Sequence, residues 1–326
     1  MRQIRLALGL AGAGALSFLT APATAQQQTS NDPFTFKLEG RLGGEYSSNV
    51  AVSDLDTNTG ESDWAGTINL LAEAQLIPMD KLTLRLGYDF TQTLHNEFDQ
   101  FDLTIHRPYA EIAYDFDLVT LGVLGNYAAA SLDGDEYLTY TQISPYLSKQ
   151  FGNEFFLRVA YARTEKTFEN QPAPPPLPAP PNLFDRDATA DSVQVDGYIF
   201  LDGVKRYVVL GAKAAEEDAD SDAFDYSSGT GRIRFVQRFD AMGREVTLRL
   251  GAEYEQRDYD STLSLIPPSG GQTREDKRTV LDVQLDIPLG EHVFSEVSYK
   301  YGNYSSNQQS ADYDEHVAGI RFGVKY

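Results

Sequence analysis

Three arginines share one side of a short stretch of this chain. In "GRIRFVQRF" (231–239), Arg232, Arg234 and Arg238 are separated by even steps, so an extended backbone points all three the same way. A row of guanidinium groups on a low-dielectric wall attracts anions and binds them through paired N–H donors. The same parity places Arg41, Arg85, Arg158, Arg249, Arg257 and Arg321 on the charged side of other segments, with Lys37, Arg107, Lys213, Arg278 and Lys300. Acids share that side: Glu253, Asp282 and Glu296, and also Glu39, Glu45, Glu73, Asp89, Glu111, Asp115, Asp196 and Asp286. Two chemistries fit this mixed, slightly basic set. It can steer an anionic solute along a path, or it can bridge strands by salt links that fill the space between them.

Other constellations point to less. "AAEEDADSDAFD" (214–225) has D-x-D-x-D spacing, but its sixth position is Ala223 and no glutamate stands at the twelfth, so it departs from a calcium-binding EF-hand loop. It reads as a solvated acidic loop, as do Asp54, Asp56, Glu61 and Asp63, and Asp133, Asp135 and Glu136. The four histidines, His95, His106, His292 and His316, are scattered, and no H-E-x-x-H or G-x-S-x-G motif is present. Neither catalysis, nor a metal, nor any other cofactor is expected. With no cysteine, the chain has no disulfide, no thiolate metal site and no lipid-modified cysteine. The net charge of −21 argues against nucleic acid as a partner, since that needs a basic footprint.

The elements that position these residues have a period of two. "LTLRLGYDF" sets Leu82, Leu84, Leu86, Tyr88 and Phe90 opposite Arg85 and Asp89. "TVLDVQLDI" sets Leu281, Val283, Leu285 and Ile287 opposite Asp282, Gln284 and Asp286. Each such segment is a two-faced strand. About fourteen are expected, starting near Phe34, Trp64, Leu82, Leu103, Val119, Leu138, Phe155, Asp191, Arg206, Gly229, Glu245, Arg278, Val293 and Asp314. Short turns are expected at 78–81, around Asp117, and at 152–154, 202–205, 240–244 and 290–292. Longer loops are expected near 49–63, 97–102, 131–137, 167–190, 216–228, 258–277 and 305–313. The loop 170–185 ("NQPAPPPLPAPPNLFD") is proline-rich and reads as a polyproline-like excursion.

Alternating short and long connections fit a transmembrane β-barrel, with tight periplasmic turns and larger outer loops. An even strand number puts both termini on the turn side. The 19 tyrosines and 18 phenylalanines gather near strand ends, as interfacial girdles do. The first 25 residues have a basic start (Arg2, Arg5), a short apolar core and Ala23-Thr24-Ala25, the layout of a cleaved secretory leader. Residues 26–33 would then be a short periplasmic segment and 34–326 the barrel. The expectation is an all-β fold, an antiparallel barrel with apolar faces toward lipid and the charged set lining the lumen.

The pattern resembles Gram-negative outer-membrane barrels across the mature chain. The resemblance implies that the last strand, through Ile320, Phe322, Val324 and Tyr326, is read by the barrel-assembly machinery, and that lipid and lipopolysaccharide surround the protein. "GGEYSSNVAVSD" (43–54) and "YKYGNYSSNQQSADYDEHVAGIRFGVKY" (299–326) resemble the barrel part of surface lipoprotein assembly modifiers, without the tetratricopeptide domain such proteins carry. A porin-like channel for small hydrophilic, anion-biased solutes is the leading expectation. Export of a surface lipoprotein or exopolysaccharide is the alternative.

Overall fold

The computed structural model describes residues 33–169, 184–241, 243–265 and 271–326. The leader, and all of the proline-rich loop except Phe184 and Asp185, lie outside them. In chain order the strands are β1 (Phe34–Ser47), β2 (Ala51–Val52), β3 (Thr57–Asn58), β4 (Asp63–Met79), β5 (Leu82–His95), β6 (Leu103–Asp115), β7 (Thr120–Leu132) and β8 (Asp135–Phe151). They continue with β9 (Phe155–Phe168), β10 (Ala188–Asp202), β11 (Arg206–Ala219), β12 (Tyr226–Ala241), β13 (Arg244–Tyr259), β14 (Glu275–Pro288), β15 (Val293–Ser306) and β16 (Tyr313–Lys325). All but β2 and β3 pair antiparallel with their neighbours and close into one barrel of fourteen strands. Each barrel strand begins within three residues of where alternation places it.

Closure falls between β1 and β16, whose register runs from Glu39 opposite Lys325 to Ser47 opposite Val317. Tyr326 extends that ladder: its N–H donates to Leu38 O (2.9 Å) and its carbonyl accepts from Leu38 N (3.1 Å). A closed ladder leaves no strand edge unpaired, which a lipid environment demands because it offers no hydrogen-bonding partner.

The two faces divide by polarity. Leu42, Leu86, Ile143, Leu201, Ile320 and Phe322 point outward, and Phe322 is 58% exposed. Arg321, one residue before it, is 4% exposed and points inward. Aromatic side chains ring both ends. At one end Tyr46 packs on Trp64 (ring centroids 5.2 Å apart), and the Tyr299 hydroxyl meets His316 Nδ1 at 2.8 Å. At the other, Tyr114 packs on Phe116 (4.7 Å) and Tyr326 stacks on His292 (4.5 Å).

Connections at the second end, the turn end, span two to four residues. Those at the loop end are longer, with one exception that corrects the sequence reading. The stretch 131–137 is not a long loop: β7 and β8 are joined by Asp133-Gly134 alone. Both residues have positive φ (50° and 84°), the backbone of a two-residue hairpin turn whose twist matches the flanking strands. The acidic stretch 214–225 is also shorter as a loop than expected. β11 runs to Ala219, so Glu217 is a lumen residue paired with Lys166 (2.6 Å).

Candidate functional site: the lumen and its mouth

The lumen is unequal around its circumference. On one side, inward side chains from β14, β15, β16, β1 and β4 form a continuous network. Glu296 on β15 accepts from Arg321 Nη1 (3.0 Å), Arg41 Nη1 (3.1 Å) and Gln284 Nε2 (2.9 Å). Arg321 also reaches Glu45 (2.5 Å) and donates to Thr67 Oγ1 (3.2 Å). Arg41 is paired with Glu39 as well. All of these charges but the half-buried Glu45 are buried, and each arginine meets carboxylates on two sides, the condition under which buried charge is tolerated. Lys300–Glu315 (2.9 Å), Arg249–Asp286 (2.6 Å) and Arg107–Asp89 (3.1 Å) extend the pattern. On β5 and β6, Arg85 pairs with Glu111 (3.0 Å).

The other side is hollow. A cavity of about 170 Å³ runs along β7 to β13. Its wall is built from small inward residues: Ser144, Ala160, Ala162, Ala190, Ser192, Gly211, Ala215 and Ser228. Short side chains at successive inward positions leave space that the paired arginines and glutamates fill opposite. The floor, toward the turn end, is apolar: Phe156, Tyr198, Tyr207, Val209 and Val236 form a buried cluster inside the barrel. Five basic groups line the cavity (Arg158, Lys166, Lys213, Arg232, Arg257), and so do five acids (Asp54, Asp196, Glu217, Glu253, Glu255).

Most of these are mutually engaged. Arg232 pairs with Asp196, Arg257 with Glu255 (3.2 Å) and Lys166 with Glu217. Arg234, just below, approaches Asp282 at 3.7 Å. Arg158 lies 3.9 Å from the centre of the Tyr146 ring, and the Tyr146 hydroxyl donates to Glu111 (2.5 Å). That ring lies flat across Gly122, where a Cβ would overlap it. Among the described residues, Lys213 and Glu253 enter no ion pair or hydrogen bond through their side chains; Lys213 is exposed to the cavity and Glu253 is half-buried.

The mouth at the loop end is spanned by the first loop, 48–62, which carries the small β2–β3 hairpin. Val52 is buried in an apolar cluster with Leu103, Ala130, Tyr137 and Leu138, from β6, β7 and β8. Four residues on, Asp56 accepts from both arms of Arg274, just before β14 (2.7 and 2.9 Å), and from one arm of Arg186, just before β10 (2.9 Å), whose other arm donates to Asp54 O (3.1 Å). β7 and β14 stand diametrically opposed in the ring, so the loop crosses the opening. Asp54 roofs the cavity. Burial opposes ionisation of Asp56, but hydrogen bonds and charge from Arg274 and Arg186 outweigh it and hold the carboxyl well below the usual carboxylate range.

The expected inward set therefore lines the lumen, but in two groups. Arg41, Arg85, Arg249, Glu296 and Arg321 lie in the packed network, with Arg238 buried near the floor beside Tyr207. Arg158, Arg232, Glu253 and Arg257 line the cavity, with Arg234 and Asp282 at its edge. Sequence reading missed Lys166, Glu217 and Glu315 on the inner faces, although the same parity marks them. It also took Asp56 and Asp63 as solvated. Asp63 instead accepts from the N–H groups of Trp64, Asn96, Glu97 and Phe98. No periodic signal announces those contacts. Asp185, Asp187 and Asp220 bring carboxylate oxygens within 4.8 Å of one another at the loop end. Ile320, Phe322, Val324 and Tyr326 all face outward on the closing strand.

No family model matches the chain, and no curated protein sequence does either. Solved structures do. The in-vitro folded OmpT, an outer-membrane protein of Vibrio cholerae, aligns with a TM-score of 0.51 at 11% identity, covering 92% of this chain and 100% of that one. An anion-selective porin from Comamonas acidovorans aligns at 0.50 and 8% identity, covering 90% and 99%. At such identities the likeness is one of fold, and that fold is the β-barrel of Gram-negative outer-membrane proteins.

Proposed function

We propose that this barrel is a narrow passive channel of the outer membrane, without catalysis, with the turn end and both termini in the periplasm. Small hydrophilic solutes enter beneath loop 48–62 and move along the hollow side. The observation that carries this reading is the cavity itself: lined by seven strands with charged groups of both signs, and left open by small side chains while the facing half is packed. Transport through it is governed by width and fixed charge. The arginine stripe alone supports little anion preference, because Arg232 faces Asp196 and Arg234 faces Asp282. Export of a folded lipoprotein or a polymer is less well supported, since the space on the hollow side, about 170 Å³, is that of a small molecule.

The test is reconstitution into planar bilayers. The expected result is small, discrete current steps in potassium chloride, with an anion-to-cation permeability ratio within a few-fold of one. Absence of steps at any applied voltage would overturn the reading.

A further inference from the structure

We propose that the lumen cavity is a binding site for small zwitterions, such as a free α-amino acid, held by Lys213 and Glu253. The inference rests on the channel reading for its biological setting, but not for its geometry.

Of the ten charged groups lining the cavity, Arg232–Asp196, Arg257–Glu255 and Lys166–Glu217 are satisfied within the wall. Arg158 lies over Tyr146, and Asp54, also without a direct side-chain partner, comes from the roof and not from the strand wall. Lys213 and Glu253 are one cation and one anion that share a cavity with no direct ion pair among the described residues; Glu255 and Glu217 act on Lys213, and Arg232, Arg234 and Lys213 on Glu253, only at longer range. A charge facing a confined lumen without a partner is the group most available to a solute of opposite sign.

Their placement sets the kind of solute. Lys213 on β11 stands opposite Thr230 of β12, and Glu253 on β13 stands opposite Arg232 of the same strand. They flank β12 from its two sides, offset by two residues along it. Strand spacing and rise put their backbones about 12 Å apart. The residue between them at the level of Lys213 is the small Thr230. Two long, oppositely charged side chains across such a gap suit a molecule carrying a carboxylate and an ammonium close together. The carboxylate goes to the Lys213 ammonium and the ammonium to the Glu253 carboxylate. A singly charged solute meets only one of the two. The cavity volume admits a molecule of amino-acid size, and its small-residue wall adds no bulky side chain to contest the space.

The probe is alanine, with propionate and propylammonium as singly charged counterparts. In wild-type channels, alanine is expected to reduce the potassium chloride current saturably, and each counterpart to require at least tenfold higher concentration. Lys213→Met and Glu253→Gln should each weaken the alanine effect by tenfold or more, and the double variant little further. A current untouched by alanine, or blocked equally by propionate, overturns the site and leaves the channel standing. If no current flows at all, the channel reading fails, and calorimetric titration of the detergent-purified protein with alanine decides the site alone. Heat that disappears in both variants upholds it, and no heat in wild type overturns it. A Lys213→Met protein destabilised like a broken buried pair would also overturn it, by showing that Lys213 is structural.

Discussion

Two halves of one lumen are built from the same alternating strands and do opposite things. From β14 through β16 to β4, inward positions carry Glu296, Arg321, Arg41, Glu39 and Glu45, each engaged by an oppositely charged partner on its own strand or one or two strands away. From β8 to β13, inward positions alternate charges with Ala, Ser and Gly, and space remains. Charge density is not the difference, since both halves are charged. What differs is whether the residue next to a charge is large enough, and of the right sign, to close the gap. A network of long, ion-paired side chains is a solid wall, and interruption by small residues turns the same chemistry into a path.

The largest expected effect breaks the packed half. Glu296→Leu leaves Arg41 and Arg321 short of an acceptor in a buried setting and should cost about 3 kcal/mol or more, by thermal or denaturant unfolding in detergent. Glu253→Leu, in the hollow half, breaks no pair and should cost less than about 0.5 kcal/mol. Equal losses would erase the distinction between the halves.

Overfilling reads the same contrast through volume. Ser298→Phe pushes into the packed network beside Arg321, to which the serine is bonded at 3.1 Å, and should destabilise by about 1–3 kcal/mol. Ser228→Phe enters the cavity and should leave stability nearly unchanged while cutting single-channel current several-fold. An unchanged current would show that solutes do not use the hollow side.

The roof supplies a third test. Asp56→Asn weakens the grip of Arg274 and Arg186 on loop 48–62, and current at neutral pH should rise, by up to about twofold. The sign with pH follows from the depressed carboxyl. The stabilisation is fully present above the ordinary carboxylate value of about 4 and is lost only as pH falls through the lower folded value. Wild-type current should therefore hold steady from pH 7 to near 4 and rise only in stronger acid. A rise already at pH 5 or 6 would contradict the anchoring assigned to Asp56.

The smallest effect lies at the border between halves, where β7 turns into β8. Gly134→Ala forces a side chain onto a backbone with φ of +84° and should cost about 1 kcal/mol, without altering current.

Much of the fold was legible before the structure. Alternation set the strand number, their starts and the inward face, because a strand has only two faces and lipid accepts only one of them. Asp133-Gly134 was legible too, as a hairpin dipeptide, but its flanking acids read as loop. The wall pattern of Ala160, Ala162, Ala190 and Ser192 was also in plain sight, yet small residues are silent until their neighbours across the ladder are known.

By itself, then, the sequence determined a closed, two-faced barrel and which side chains line its interior. Only the tertiary structure decided that Arg232 meets Asp196 while Lys213 has no direct ion pair, that Asp56 reaches Arg274 across 218 positions of chain, and that one half of the lumen is solid. The reason is physical. Facing direction is a local property of the backbone with a period of two. Pairing and empty space depend on register, curvature and the volumes of residues brought together from distant parts of the chain.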